Sequence, residues 1–220
     1  MQASAIKQMD VNAPATAPRV GGVSRFCKRV VDVAGAAILI TFFLPILCVC
    51  TVLILLDDGR PVIHRRRVVG LHGTFDAFKL RSMRTDADQF LESDVRLRQQ
   101  FSANFKLNDD PRVTRVGGML RRFSLDEIPQ LWNVLRGEMS LVGPRMISPA
   151  ELEKFGDAAW IFECVKPGLT GYWQVQGSTD AGYAERVRME CWYAEHRSLR
   201  LDLMILLKTP MRVLRGPRKS

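Results

Sequence analysis

The chain has 220 residues, of which 47% are hydrophobic and 25% charged, and its formal net charge is +9 at pH 7. This length allows one or two domains with a sizeable core, and the basic balance indicates an anionic partner such as an acidic lipid surface or a phosphorylated substrate. No helix-turn-helix, zinc or RNP pattern is present, so we predict no nucleic-acid partner. The five cysteines are odd in number and lack zinc-site spacing, which indicates reduced thiols of a cytosol-facing domain.

The first 23 residues are rich in Ala, Pro and Gly and show no apolar period, which predicts a disordered tail. No basic segment leads directly into an apolar one there, so the tail is not predicted to be a signal peptide. We divide the rest of the chain into a membrane-embedded helix over residues 24–60, a cytosolic domain over 61–214 and a basic tail over 215–220.

An uncharged apolar run from Val33 to Leu56 is long enough to cross the hydrocarbon core of a bilayer, which takes about 20 residues. Basic residues mark the cytoplasmic side, and here they flank both ends of the run. Pro45 lies near the middle, where a proline removes a backbone hydrogen bond. We therefore predict a helix–break–helix that enters and leaves the same leaflet, with Pro45 as the break. A simple span and a buried soluble helix are the alternatives, and Arg29 and Asp32 are predicted to pair.

Two short strands and a polar helix are predicted after this run. Residues 61–63 and 75–80 have strand patterns on either side of the turn Gly70-Leu71-His72-Gly73. Residues 86–105 have a charged helical pattern, and residues 108–111 have the composition of a turn.

A glycine pair, Gly117-Gly118, precedes the most informative stretch of the chain. The pair lacks the Lys-Ser/Thr of a P-loop. We interpret it as permitting a close approach of two backbone segments.

Two adjacent acids, Asp126 and Glu127, follow Ser124 in a Ser-x-x-Glu capping-box pattern. Apolar residues recur behind them at helical spacing, so both carboxylates are predicted to lie in the first turn of a helix, where the helix dipole favours negative charge. An ionised aspartate in that position can be a nucleophile, and attack on phosphorus gives an aspartyl-phosphate type of intermediate. The alternative is that Glu127 only closes the capping box and Asp126 only complements the dipole.

Arginines crowd the same stretch, and arginine is suited to forked contacts with phosphate, although some of these side chains can simply be solvated. They are Arg112, Arg115, Arg121, Arg122, Arg136 and Arg145. Two acids among phosphate-binding groups also indicate Mg2+, with Asp126 and Glu127 as its ligands, because Mg2+ is usually held by one or two carboxylates and substrate phosphates.

The segment RRFSLDEIPQLWNVLRGEMSLVGPR resembles the core signature of the bacterial sugar transferases that act on polyprenyl phosphate, the small monotopic phosphoglycosyl transferases. The segments KLRSM and PGLTGYWQV resemble further parts of that family, with Leu80 in place of its usual Phe. The family's Pro-Arg-Pro element corresponds here to Pro144-Arg145-Met146. Its broken N-terminal helix supports re-entry, although the family's Ser-Pro break reads Leu44-Pro45 in this chain.

The resemblance covers roughly residues 24–214 and implies a helix-dominated α+β domain on the cytoplasmic face of the bacterial inner membrane. It implies transfer of a sugar-1-phosphate, of galactose or glucose, from a UDP-sugar to undecaprenyl phosphate with release of UMP. That reaction would be the first step of exopolysaccharide or surface-glycan synthesis.

The resemblance also assigns roles to individual residues. Asp126 would be the nucleophile, and Glu127 would hold Mg2+ or assist deprotonation of the lipid phosphate. The substrate-binding residues would be Lys79, Arg81, Arg121, Arg145 and Asp202. The family usually has Gln and Arg before the hairpin turn, where this chain has Arg66 and Val68, so those two contacts are not carried over.

Two helices are predicted near the carboxyl end, over residues 183–196 and 199–214, and the second can lie in the membrane interface or in the core. A non-catalytic, membrane-anchored adaptor that binds anionic lipid is the alternative function, and it predicts that Asp126 and Glu127 are dispensable. The sequence does not identify the sugar, and it leaves a homodimer open.

Overall fold

The structure of the chain, a computed structural model, describes residues 22–104, 107, 110–176 and 182–215. It is helix-dominated and of the α+β class, as predicted. The predicted amino-terminal tail up to residue 21, the predicted basic tail beyond 215, the end of the predicted 86–105 helix and residues 108–109 of the predicted turn lie outside the described residues.

The first helix, α1, runs without interruption from Gly22 to Asp58, and Pro45 lies inside it. The break predicted at Pro45 is therefore not seen as a gap in the helix, because one proline removes a single hydrogen bond while the neighbouring turns keep theirs. Within the described chain, α1 is the one helix long and apolar enough to cross a membrane, with a mean hydropathy of 2.9.

One face of α1 packs on the rest of the protein and the opposite face stays exposed. The buried positions are Asp32, Ala36, Cys50 and Ile54, which lie before and after the proline. Large apolar side chains on the other side are open, for example Ile38, Phe42 and Val49. A helix with one face on protein and one apolar face exposed is suited to contact with lipid.

The hairpin predicted around residues 70–73 is present. Strand β1 covers Ile63–Gly70 and strand β2 covers Gly73–Leu80, paired antiparallel from Ile63↔Leu80 to Gly70↔Gly73. The first strand begins where the predicted strand 61–63 ends and continues to Gly70, because three consecutive arginines at 65–67 interrupt the apolar alternation that would reveal it.

Short helices lead from the hairpin to the central helix. The predicted 86–105 helix is divided at Asp94 into α2 (Ala87–Ser93) and α3 (Val95–Asn104). Helix α4 (Arg115–Arg122) follows, then a 3-10 turn (Leu125–Glu127) and α5 (Gln130–Arg136). A Cβ at Gly117 would overlap the backbone of Ser82, so the predicted close approach holds at Gly117, while Gly118 meets no such neighbour.

The second half of the chain adds a small parallel sheet and the carboxyl-terminal helices. Strands β3 (Ser140–Val142) and β4 (Gly168–Thr170) pair in parallel. Between them lie α6 (Pro149–Leu152), a kinked 3-10 segment (Glu153–Trp160) and α7 (Ile161–Cys164). Helices α8 (Tyr172–Gln176), α9 (Tyr183–His196) and α10 (Leu199–Arg215) follow, the last two as predicted.

Two groups of buried apolar side chains hold these elements together. The main core joins the hairpin, α5, the parallel sheet, α9 and α10, and Ala36 of α1 is part of it. The second core is smaller and consists of Cys50, Ile54, Leu80 and Leu120. Helix α1 thus contributes buried side chains to both cores, so it is packed as an integral element rather than as a separate anchor.

Candidate active site

The two acids lie in the first turn of a helix as predicted, but this helix is the short 3-10 segment Leu125–Glu127 between α4 and α5 rather than an α-helix. Ser124 adopts the left-handed conformation, with φ of 55°, and its side chain caps nothing. The capping-box prediction is therefore wrong, because this backbone conformation turns Ser124 away from the amides it would have to bind. A left-handed serine stores backbone strain, which is a feature found at functional sites.

Two cations from separate elements meet this turn. Lys79 Nζ on β2 lies 2.7 Å from Glu127 Oε1 and 3.9 Å from Asp126 Oδ2. Arg145 NH2, just after β3, lies 3.5 Å from the same Glu127 oxygen. Asp126 itself is buried and accepts no hydrogen bond from any residue that the structure describes. We name these four residues the dyad cluster.

The surroundings shift the pKa values of the two carboxyl groups in opposite directions. Burial raises the pKa of Asp126, and the charge of Glu127 adds to this rise against the opposing effect of Lys79. Burial would also raise the pKa of Glu127, but Lys79 and Arg145 outweigh it and lower that pKa to about 2. Glu127 is therefore a fixed negative charge, while Asp126 is a less stabilised and more reactive carboxylate.

Buried polar contacts hold the cluster in place. Asn133 on α5 accepts a hydrogen bond from the Phe78 amide and donates to the Asp76 carbonyl, at 3.0 and 2.8 Å, which fixes β2 beside the dyad turn. The fully buried Glu190 of α9 accepts a 3.0 Å hydrogen bond from the backbone N–H of Arg145. Lys79 is thus positioned by the attachment of β2 to α5, and Arg145 by the hydrogen bond of its backbone to α9.

Arg121 lies beside the cluster without a direct ion pair to it. It is exposed at the end of α4, and its Nε donates to Ser82 Oγ at 2.9 Å. Its charge lies close enough to Asp126 to lower the pKa of that carboxyl, against the rise caused by burial. Its remaining guanidinium nitrogens are available for a substrate phosphate.

The sequence reasoning set Arg66 aside, but the structure places it near the dyad cluster. Arg66 NH2 lies 3.9 Å from Glu151 Oε2, and Glu151 also binds Arg186 NH1 at 3.0 Å. Burial lowers the pKa of Arg66, and the nearby charge of Arg145 lowers it further. Residue 66 faces residue 77 in the hairpin register, two positions before Lys79, so recognising the hairpin could have indicated Arg66.

Two predicted substrate-binding residues are not brought to this cluster. Arg81 lies past the end of β2 and donates to the carbonyl oxygens of Asp58, Gly59 and Arg60, at 2.7–3.1 Å, so it holds the end of α1. Asp202, at the start of α10, accepts from the Tyr193 hydroxyl at 2.7 Å and from Lys28 Nζ at 2.9 Å.

The predicted pairing of Arg29 with Asp32 is also replaced. Arg29 donates to the carbonyl oxygens of Val134 and Leu135 at the end of α5, and it is Lys28 that pairs with Asp32, at 3.2 Å. Carbonyls at a helix end lack partners within the helix, which explains why they attract this guanidinium.

The carboxylates of the dyad cluster are ligands of the kind that Mg2+ prefers. No group of three or more His, Cys, Asp or Glu side chains suited to a metal ion occurs among the described positions. Two adjacent carboxylates do occur, in Asp126 and Glu127, and Mg2+ typically takes one or two carboxylates and completes its shell with water and substrate phosphates. The carboxylate oxygens of Asp126 accept no hydrogen bond from the residues described and are suited to such contacts.

The arrangement is suited to chemistry on phosphorus. A buried carboxylate that accepts no hydrogen bond from a described residue can act as a nucleophile, and the surrounding lysine and arginines can neutralise phosphate oxygens. Fold and site together define an α+β protein with one long apolar helix and a pair of adjacent carboxylates surrounded by cations. A family model described as bacterial sugar transferase matches residues 23–216, so the chain belongs to that family.

Several named relatives align over most of this chain. The UDP-galactose-lipid carrier transferase of Erwinia amylovora is 45% identical over 191 residues, which are 84% of this chain and 40% of that protein. The undecaprenyl-phosphate galactose phosphotransferase of Salmonella typhimurium is 41% identical over 87% of this chain and 41% of its own length. The exopolysaccharide production protein ExoY of Rhizobium meliloti is 40% identical over 86% of this chain and 85% of its own length. The chain thus spans less than half of the first two relatives and most of the third.

Proposed function

We propose that this protein transfers a sugar-1-phosphate, of galactose or glucose, from a UDP-sugar to undecaprenyl phosphate and releases UMP, as the first step of exopolysaccharide or surface-glycan synthesis. The observation that carries the proposal is the buried carboxylate of Asp126, which lies 3.9 Å from Lys79 Nζ, beside two arginines, and accepts no hydrogen bond from the described part of the chain. Two aligned relatives carry galactose in their names, which favours galactose as the first sugar to test.

In the first step Asp126 attacks the phosphorus that bears the sugar. An oxygen–phosphorus bond forms to the carboxylate, and the bond from that phosphorus to the bridging oxygen breaks, so UMP leaves with the electron pair. The product on the protein is an aspartyl phosphosugar. Lys79, Arg121 and Arg145 neutralise the phosphate oxygens, and such electrostatic stabilisation is the main protein contribution to phosphoryl transfer.

In the second step a phosphate oxygen of undecaprenyl phosphate attacks the same phosphorus and regenerates the Asp126 carboxylate. No general base is required, because a phosphate monoester has a second pKa of about 6 and is largely a dianion at neutral pH. Glu127, with a pKa of about 2, is a poor base. We therefore assign Glu127 to holding Lys79 and Arg145 and, together with Asp126, Mg2+. When bound, Mg2+ supplies further neutralisation of phosphate charge.

The contacts of α1 with the rest of the chain support its re-entry, which we propose to take place on the cytoplasmic face. Asp32, before the middle of the helix, accepts a hydrogen bond from the Leu141 amide at 3.0 Å, while Asp58, at its end, accepts one from the Thr85 amide at 3.0 Å. Both ends thus contact the same polar domain, which would have to enter the hydrocarbon if α1 crossed the bilayer. A site at the membrane surface lets a soluble sugar donor meet a lipid acceptor.

The nucleophile can be tested by trapping the intermediate. The full chain in detergent is incubated with UDP-galactose, and separately with UDP-glucose, without undecaprenyl phosphate, and its intact mass is measured. We expect one sugar-phosphate adduct that disappears when undecaprenyl phosphate is added. Asp126→Asn should form no adduct and lose turnover by at least about a thousandfold.

The matched control is Asp76→Asn, which changes an exposed carboxylate of β2 and should keep both adduct and turnover. An adduct on Asp126→Asn would disprove the assignment. Absence of UMP release by the wild-type protein with every UDP-sugar of a panel would favour the adaptor instead.

A further inference from the structure

A cavity lies at the amino-terminal end of α1, and none of its lining residues belongs to the dyad cluster. Its volume is about 880 Å³. The first turns of α1 and α10 and the segment around Lys166 form its walls. None of its lining residues is assigned a part in the proposed transfer.

The walls of this cavity are strongly basic. They include Arg25, Lys28, Arg29, Lys166 and Arg197, against two acids, Asp32 and Asp202. Both acids are paired with the same lysine, because Lys28 Nζ lies 3.2 Å from Asp32 and 2.9 Å from Asp202. Among the described residues, no ion pair joins Arg25 or Lys166 to either of these acids.

Two of these cations have no partner in the part of the chain that the structure describes. The side chain of neither Lys166 nor Arg25 makes a hydrogen bond or an ion pair with a described residue. Lys166 is half-buried, and burial together with the neighbouring charge of Arg29 lowers its pKa. Like charges crowded into a concave site are relieved when an anion binds between them.

The neighbouring surface of α1 is apolar. Val23, Phe26 and Val30 are 80%, 69% and 50% exposed on the same turns that carry Arg25 and Arg29. A basic cavity beside exposed apolar side chains matches a ligand with an anionic head and an apolar tail. The amino-terminal ends of α1 and α10 add partial positive charge at the cavity walls.

We propose that this cavity is a binding site for a phosphate group, of the kind carried by an anionic lipid headgroup. Lys166 and Arg25 contact the phosphate oxygens, and Lys28 stays paired with Asp32 and Asp202. The site lies at the membrane surface and holds α1 against the headgroup layer.

The test is direct binding to the full chain in an uncharged detergent. Short-chain phosphatidylglycerol and inorganic phosphate are titrated separately by calorimetry, with short-chain phosphatidylcholine as the zwitterionic comparison. We expect Lys166→Gln to weaken binding about tenfold and Lys166→Gln with Arg25→Gln to weaken it further, since each removes a charge-assisted contact.

The matched control, Arg67→Gln with Arg96→Gln, removes two exposed charges elsewhere and should bind as the wild type does. Tight binding of phosphatidylglycerol alone identifies a lipid headgroup as the source, and equal binding of inorganic phosphate identifies a free phosphate. Equal affinities of the wild type and the double variant, or no binding of either anion, would overturn the proposal. UMP release by the double variant in detergent should be unchanged, which separates this site from the transfer reaction.

Discussion

Asp126 and Glu127 are neighbours in the chain, yet their environments move their pKa values in opposite directions. Lys79 lies close to Glu127 and 1.2 Å farther from Asp126, at 2.7 and 3.9 Å. The better stabilised carboxylate is the poorer nucleophile, so the geometry separates an anchoring acid from a reactive one.

This separation predicts a pH effect on adduct formation. Asp126 must be ionised to attack, so the rate should fall as the pH decreases through its raised pKa, above the value of about 3.9 of an ordinary aspartate. Glu127→Gln removes a neighbouring negative charge that raises the pKa of Asp126. We expect the acidic limb of the rate profile to move to lower pH in this variant, measured by rapid quench. An unmoved limb would argue against Asp126 as the titrating group.

Glu190 predicts a pH effect on stability. Burial raises its pKa to about 7, although the Arg145 amide and nearby arginines oppose this. A raised pKa means that stability is fully present below about pH 4.3, the unfolded value, and is lost as the pH rises through 7. Glu190→Gln should remove up to about 3 kcal/mol of that loss, at ~1.4 kcal/mol per pKa unit. Denaturant unfolding at pH 5 and pH 8 measures the free energy of unfolding of both proteins. An equal loss of that free energy between the two pH values in the wild type and in Glu190→Gln would contradict the prediction.

Single-residue reasoning on the sequence located Lys79, Arg121 and Arg145, because motif segments carry them. It could not place Glu190, which reaches Arg145 across 45 positions of sequence. It misjudged Ser124, since a Ser-x-x-Glu pattern has the same letters whether or not the backbone takes the left-handed form. It also could not predict that the guanidinium of Arg81 donates hydrogen bonds to three backbone carbonyl oxygens.

At the scale of elements, α5 is the piece that joins the dyad turn to the hairpin. Asn133 is fully buried and makes hydrogen bonds to Phe78, Asp76 and Glu138. The hydrogen-bonding groups of β2 would lose these partners if the amide were removed, and unpaired buried groups are costly.

Asn133→Ala is therefore expected to lower the free energy of unfolding by about 2–4 kcal/mol. Gln99→Ala, which truncates an exposed amide side chain on α3, should change it by less than about 0.5 kcal/mol. Denaturant melts of both variants provide the measurement. A loss in Asn133→Ala no larger than in the control would show that α5 and β2 are held together by apolar packing alone.

The pattern of apolar residues identified most elements but not their ends. The hairpin followed from its Gly-rich turn, and α9 and α10 from their period. Helix α10 resolved the alternative left open, since Ile205 is buried in the main core while Leu207 and Met211 are 79% and 58% exposed. Burial in the core is therefore confirmed for one face of the helix, and a membrane-interface position of the opposite face stays a prediction.

At the scale of the whole molecule, the two ends of α1 meet the same domain. Lys28 binds Asp202 of α10 near the start, and Asp57 accepts from the Val116 amide at 3.3 Å near the end. The sequence indicated a shared side from its flanking charges, but these contacts join residues too distant in the chain for any local pattern to predict.

Single cysteines at Val23 and Arg60, in a background with the five native cysteines changed to alanine, test the membrane topology. Both positions are exposed. We expect a membrane-impermeant maleimide to label both from the cytoplasmic side of inverted vesicles and neither from the other side. Labelling from opposite sides would establish a spanning helix and rule out re-entry.

The shared packing of α1 has a consequence for how the protein can be handled. Ala36 fills part of the main core, and Cys50 and Ile54 make up half of the second. A trimmed version starting after Arg60 would leave holes in both interiors and strip the guanidinium cap from the end of α5. Water-soluble truncation is thus a poor route to an active preparation, and detergents or nanodiscs that keep the first sixty residues are the practical choice.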